Sequence, residues 1–132
     1  MSYPIASVCP SCEASFKAAG VRTTATLLQR AKDPKGRKLL AAETGLAGPD
    51  ILRAANRADL MRLRGVGEDY ARLLEAAGVD TVKALRNRNP GNLAKAIAQV
   101  NGGDRKVQPP PSERMVAKWI LQAKTIPPVM TY

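Results

Sequence analysis

Helix punctuation is frequent along the chain and strand alternation is scarce, with apolar stripes between the start and stop signals. Pro10 and Ser11 open a helix that stops at Gly20, and Thr23 or Thr24 caps a second one carrying Leu27 and Leu28. Asp33-Pro34, an N-cap followed by proline at the first helical position, begins a third, with Leu39, Leu40 and Ala41 running to Gly45. Gly48-Pro49-Asp50 starts a fourth, striped by Ile51, Leu52, Ala54 and Ala55, and a short separate helix is predicted over Ala58 to Leu63. After Gly65-Val66-Gly67 come helices over Glu68 to Ala77, Thr81 to Arg86, Asn89-Pro90 to about Val100, and Ser112 to Lys124. The alternating runs Met61 to Arg64 and Thr81 to Ala84 are too brief to be strands, so the predicted class is all-α. The expected core gathers Leu27, Leu28, Leu39, Leu40, Ile51, Leu52, Leu63, Val66, Leu73, Leu74, Leu85, Leu93, Ile97, Trp119 and Ile120.

At an offset of about 58 residues the chain repeats itself. Phe16-Lys17-Ala18-Ala19-Gly20-Val21-Arg22-Thr23 reads against Leu74-Glu75-Ala76-Ala77-Gly78-Val79-Asp80-Thr81, while Ser7, Val8 and Cys9 fall on Gly65, Val66 and Gly67. A small gap then brings Asp33-Pro34 onto Asn89-Pro90. The expected organisation is a first helical unit over 1–57, a second over 58–124, both packed as one compact domain, and a flexible tail over 125–132 after Pro127-Pro128. A basic loop with Arg105 and Lys106 separates the last two helices.

Composition narrows the chemistry. With 132 residues, 45% apolar and 24% charged, the chain is globular, and its 21 Lys and Arg against 11 Asp and Glu put ten surplus positive charges on a folded surface. There is no histidine, which removes Ser-His-Asp and Cys-His nucleophiles and His-ligated zinc. The longest uncharged stretch, Met1 to Cys12, falls short of the ~18 apolar residues a membrane span needs. The first basic residue is Lys17, too late for a secretory signal, so the expected location is the cytoplasm. There Cys9 and Cys12, too few for a disulfide framework, are expected to stay thiols. Cys9-Pro10-Ser11-Cys12 has the spacing of one metal knuckle, but no further Cys or His completes a zinc or iron-sulfur site, so no metal or cofactor is assigned. Three readings stay open for the pair: small residues filling a turn, a metal shared between two chains, or a dithiol switch.

The strongest local motif is Leu60-Met61-Arg62-Leu63-Arg64-Gly65-Val66-Gly67. Two glycines around one apolar residue make a tight hairpin in which the apolar side chain plugs into the core and backbone amides are left exposed to an anion at the start of the next helix. Arg62 and Arg64 add charge beside it, whereas Glu68 and Asp69 in the following turn repel a phosphate there. The densest positive run is Lys32-Asp33-Pro34-Lys35-Gly36-Arg37-Lys38, joined by Arg22, Arg30, Arg86, Arg88 and Lys95 in a broad positive surface that suits a polyanion. Either feature also has a plain reading, as a helix connection and a solvated helix start.

These residues resemble helix-hairpin-helix proteins, and more closely an uncharacterised bacterial family built of two such units, sometimes loosely labelled ferredoxin. The resemblance covers about Ile5 to Lys124 and is most specific from Asn56 through Thr81. It implies an all-helical fold of two tandem helix-hairpin-helix-like units and sequence-independent binding to the DNA backbone. The first unit departs from the pattern, with Ser7-Val8-Cys9 where a second Gly-x-Gly stands in the family, so its hairpin is expected to be degenerate.

The expected function is double-stranded DNA binding through phosphate contacts from Arg62, Arg64, Gly65, Val66 and Gly67, with Lys32, Lys35, Arg37 and Lys38 on a further phosphate run. RNA presents the same phosphates. A protein-interaction or scaffold module that binds no nucleic acid is the competing class. No enzyme is expected: the carboxylates are scattered, and a Schiff-base role for Lys35 or Lys83 would need a depressed pKa that sequence does not display. Phe16, Tyr70 and Trp119 fall at helical core positions, so stacking on bases is not expected.

Overall fold

Caps and prolines place the helices. In the computed structural model, which describes residues 2–102, 107 and 109–132, helix α1 spans Glu13–Ala18, α2 Thr24–Ala31, α3 Pro34–Thr44, α4 Gly48–Leu60, α5 Glu68–Ala76, α6 Val82–Arg86, α7 Pro90–Val100 and α8 Glu113–Thr125. Among the described residues there is no strand, only one isolated bridge between Pro4 and Thr23. The fold is all-α. The caps form at the expected residues: Thr23, Asp33, Thr81, Asn89 and Ser112 each accept from an amide three positions on. One boundary differs from the sequence expectation. The separate helix expected over 58–63 does not form: residues 58–60 end α4, because no glycine or proline interrupts Ile51 to Leu60, and 61–63 lie in the turn that follows. The basic loop with Arg105 and Lys106 lies outside the described residues.

The chain divides into two units, Met1–Arg62 with Val129–Tyr132, and Leu63–Pro128. In the first, α2 packs on α3 and α4, around fully buried Ile5, Phe16, Leu27, Leu40 and Ile51. In the second, α8 packs on α6 and α7 and α5 on α7, around Leu63, Val66, Leu74, Leu85, Leu93 and Ile97. The internal repeat is visible hydrogen bond by hydrogen bond. The Val21 amide donates to Phe16 O and the Val79 amide to Leu74 O, both at 2.8 Å, and Gly20 and Gly78 close these turns with φ of 84° and 93°. The Val8 amide likewise donates to Ile5 O and the Val66 amide to Leu63 O, both at 3.2 Å.

Three expectations need correction. Leu39, placed in the core, is 58% exposed, because Leu40 takes the inward position of α3. The last four residues are not a loose tail but part of the first unit. There the Thr131 amide donates to Lys32 O at 2.7 Å, Tyr132 Oη donates to Asn56 Oδ1 at 2.6 Å, and Met130 is buried. Cys9 and Cys12, expected as thiols, are joined in a disulfide, for which the three-residue spacing and a Cα separation of 5.2 Å are suited.

Candidate functional site

The Gly65–Gly67 turn is anchored before it offers anything to a ligand. Val66 is fully buried and its amide is engaged with Leu63 O. The Arg64 amide donates to Gln122 Oε1 at 2.9 Å while Gln122 Nε2 donates back to Arg64 O at 3.3 Å, so a side chain of α8 holds the turn on both sides. Val66 therefore leaves the set of candidate phosphate contacts: its side chain and its amide both serve the fold.

The two glycines, equivalent by sequence, do different work. Gly65 has φ +85°, a left-handed conformation that a β-carbon strains, and that β-carbon would sit 3.4 Å from the Trp119 indole nitrogen. Gly67 has φ −98° and ψ −161°, which any residue adopts, and a β-carbon there would meet nothing within 4 Å. Gly65→Ala is expected to lower stability by about 1–2 kcal/mol and Gly67→Ala to leave it within about 0.5 kcal/mol. Denaturant titration of the two proteins checks the split, and equal losses would refute it.

Gly67 is the N-cap of α5 and supplies no side-chain cap, in contrast with the five helices capped by Thr, Asp, Asn or Ser. Beside it opens a cavity of about 340 Å³ lined by Gly65, Gly67, Glu68, Asp69, Tyr70 and Val107. Tyr70 closes one edge, its hydroxyl donating to Pro109 O at 2.8 Å and its ring 5.3 Å from that of Trp119. The two carboxylates oppose an anion here, but Arg72 lies 2.7 Å from Asp69 Oδ1 and 4.0 Å from Glu68 Oε1. Sequence reasoning passed over Arg72, although its position three and four residues beyond the acids is the signal for a helical ion pair.

The remaining basic residues separate into exposed and engaged groups. Arg64 is exposed. Arg62 is only 21% exposed at its side chain and donates to the buried Asp59 carboxylate at 2.7 Å. Lys32, Lys35 and Lys38 are exposed, at the end of α2 and the start of α3. Arg37, expected among them, is buried: Nη1 donates to Ala31 O and Nη2 to Thr131 O, each at 2.9 Å, and the guanidinium lies 5.7 Å from the centre of the Tyr132 ring. Arg86 is also committed, donating to Ala123 O and Ile126 O. The structure thus places the hairpin glycines and Arg64 in the second unit, and the three lysines in the first.

Lys35 and Lys38 sit early in α3, where the helix macrodipole disfavours cations, and the Asp33 carboxylate that caps the helix is the acidic group at this start. Among the described residues no cluster of three or more Cys, Asp or Glu is arranged to hold a metal, and no helix is long and apolar enough to cross a membrane.

No curated protein and no solved structure matches the chain. A family model does, and it spans residues 6–126, which includes both copies of the repeat. By that match the chain belongs to the family described as a domain of unknown function, DUF4332.

Proposed function

We propose that the protein binds the phosphate backbone of double-stranded DNA without reading sequence, using a helix-hairpin-helix turn at Gly65–Gly67 and the lysine cluster of Lys32, Lys35 and Lys38. The observation that carries this reading is Gly67. Neither its backbone angles nor its packing requires glycine, and glycine costs conformational entropy on folding. A bare Cα at an uncapped helix start, next to an open cavity, has the use of letting an anion come within reach of the helix amides. Exposed Arg64 adds a charge-assisted contact next to it. The ten-charge surplus supplies long-range attraction to a polyanion and is shared evenly between the two units.

The test is fluorescence anisotropy with a labelled random duplex and an equal-length single strand across a salt series. Four phosphates neutralised by Lys32, Lys35, Lys38 and Arg64 give a slope of log K against log salt of about −3.6, roughly a 150-fold loss between about 50 and 200 mM. Lys35→Glu/Lys38→Glu is expected to flatten that slope, Gly67→Ala to weaken binding at unchanged stability, and Glu68→Gln/Asp69→Asn to tighten it. Affinity indifferent to Gly67 and to the two acids would overturn the hairpin clamp. It would leave a generic basic surface and turn attention to an acidic protein partner.

A further inference from the structure

Cys9 and Cys12 stand where the second copy of the repeat has Gly67 and Tyr70, so the helical unit does not need a disulfide at this turn. The bond adds little constraint either. It spans three residues of a 3-10 turn that the Cys12 amide already closes by donating to Cys9 O at 3.1 Å, and a loop this short restricts the unfolded chain least. A staple would be better placed almost anywhere else.

Its surroundings suit reactivity instead. Cys9 and Cys12 both line a cleft of about 280 Å³ shared with Asp50, Arg53, Ala54 and Arg57, but Cys12 is buried at 4% exposure whereas Cys9 is half-buried. Arg57 donates to Val8 O at 3.0 Å, which sets its guanidinium one peptide from Cys9. Ser11 Oγ is 3.5 Å from Cys9 Sγ. The cleft therefore carries two guanidiniums and one carboxylate, Asp50, itself 4.0 Å from Arg53. Cationic neighbours favour the thiolate, the form that takes part in exchange.

We propose that Cys9–Cys12 is a thiol–disulfide exchange centre serving a dithiol partner, with Cys9 as the attacked and attacking sulfur and Cys12 as the resolving one. In the reducing direction a thiolate of the partner attacks Cys9 Sγ, the Cys9–Cys12 bond breaks, and Cys12 Sγ leaves as a thiolate that takes a proton from solvent. The partner's second thiol, on losing its proton, attacks the partner sulfur of the mixed disulfide and releases Cys9 as a thiolate. Two electrons pass to the protein, and the partner ends as a disulfide. The inference does not rest on nucleic-acid binding.

The test uses the full chain equilibrated in a series of reduced and oxidised glutathione buffers, trapped with an alkylating reagent and read by mass spectrometry, with circular dichroism on each sample. The expected result is a reversible change between disulfide and dithiol within the series, with helicity kept in both states. In the reduced protein Cys9 is expected to be alkylated about ten-fold faster than Cys12 near neutral pH, and Arg53→Gln to slow Cys9 alone. Cys12→Ser is expected to hold glutathione on Cys9, and Cys9→Ser to hold none on Cys12. Loss of helicity on reduction would make the bond a staple and overturn the proposal. So would cysteines that stay reduced throughout the series, or that react at equal rates.

Discussion

Phe16→Ala is expected to lower the stability of the first unit by about 3–5 kcal/mol, the range for removing a fully buried aromatic side chain. Among the described residues Phe16 is the largest fully buried side chain, and its carbonyl accepts the Val21 amide that closes the turn after α1. The replacement leaves that hydrogen bond in place, so the loss measures the buried ring and the cavity it leaves. Phe16→Leu writes the residue of the second copy, Leu74, into the first and is expected to cost only about 1–2 kcal/mol. Thermal and denaturant unfolding of the three proteins checks this. Equal losses for Ala and Leu would show that the ring is positioned for more than volume.

Arg37→Ala is the second large effect, about 2–4 kcal/mol, because it removes two charge-assisted hydrogen bonds and leaves the Ala31 and Thr131 carbonyls to find other donors. It also removes the cation facing the Tyr132 ring. The contrast with its neighbours is the informative part. Lys35→Glu and Lys38→Glu, both exposed on the same helix, are expected to change stability by less than about 0.5 kcal/mol while altering the salt dependence of binding. Chemical denaturation of all three variants separates the roles, and an Arg37→Ala protein as stable as the parent would return Arg37 to the proposed phosphate contacts.

What could be read from sequence follows the range of the interaction involved. Caps at Thr23, Asp33, Thr81, Asn89 and Ser112 act within three residues, so their helices were legible, as was the repeat, whose turns reuse the same short spacings. Arg37 looked like its lysine neighbours because its acceptor Thr131 lies 94 residues away. Leu39 and Leu40 are adjacent, and local pattern gave no ground to send one outward. The glycines of the hairpin were legible as a pair but not as individuals: only backbone angles reveal that Gly65 serves the turn and that Gly67 is spare. The disulfide was missed because its expectation rested on a compartment rather than on the geometry of the turn that holds it.

The return of Val129–Tyr132 to the first unit makes the second unit an insertion in the chain of the first. Most of the first unit leaves the ribosome early, yet the strands of contact that finish it, to Lys32, Arg37 and Asn56, are translated only after the whole second unit. Until then Arg37 has lost its distant acceptor and its aromatic neighbour. A nascent first unit is therefore a stage without its latch, and its completion reports that the second unit has already been made.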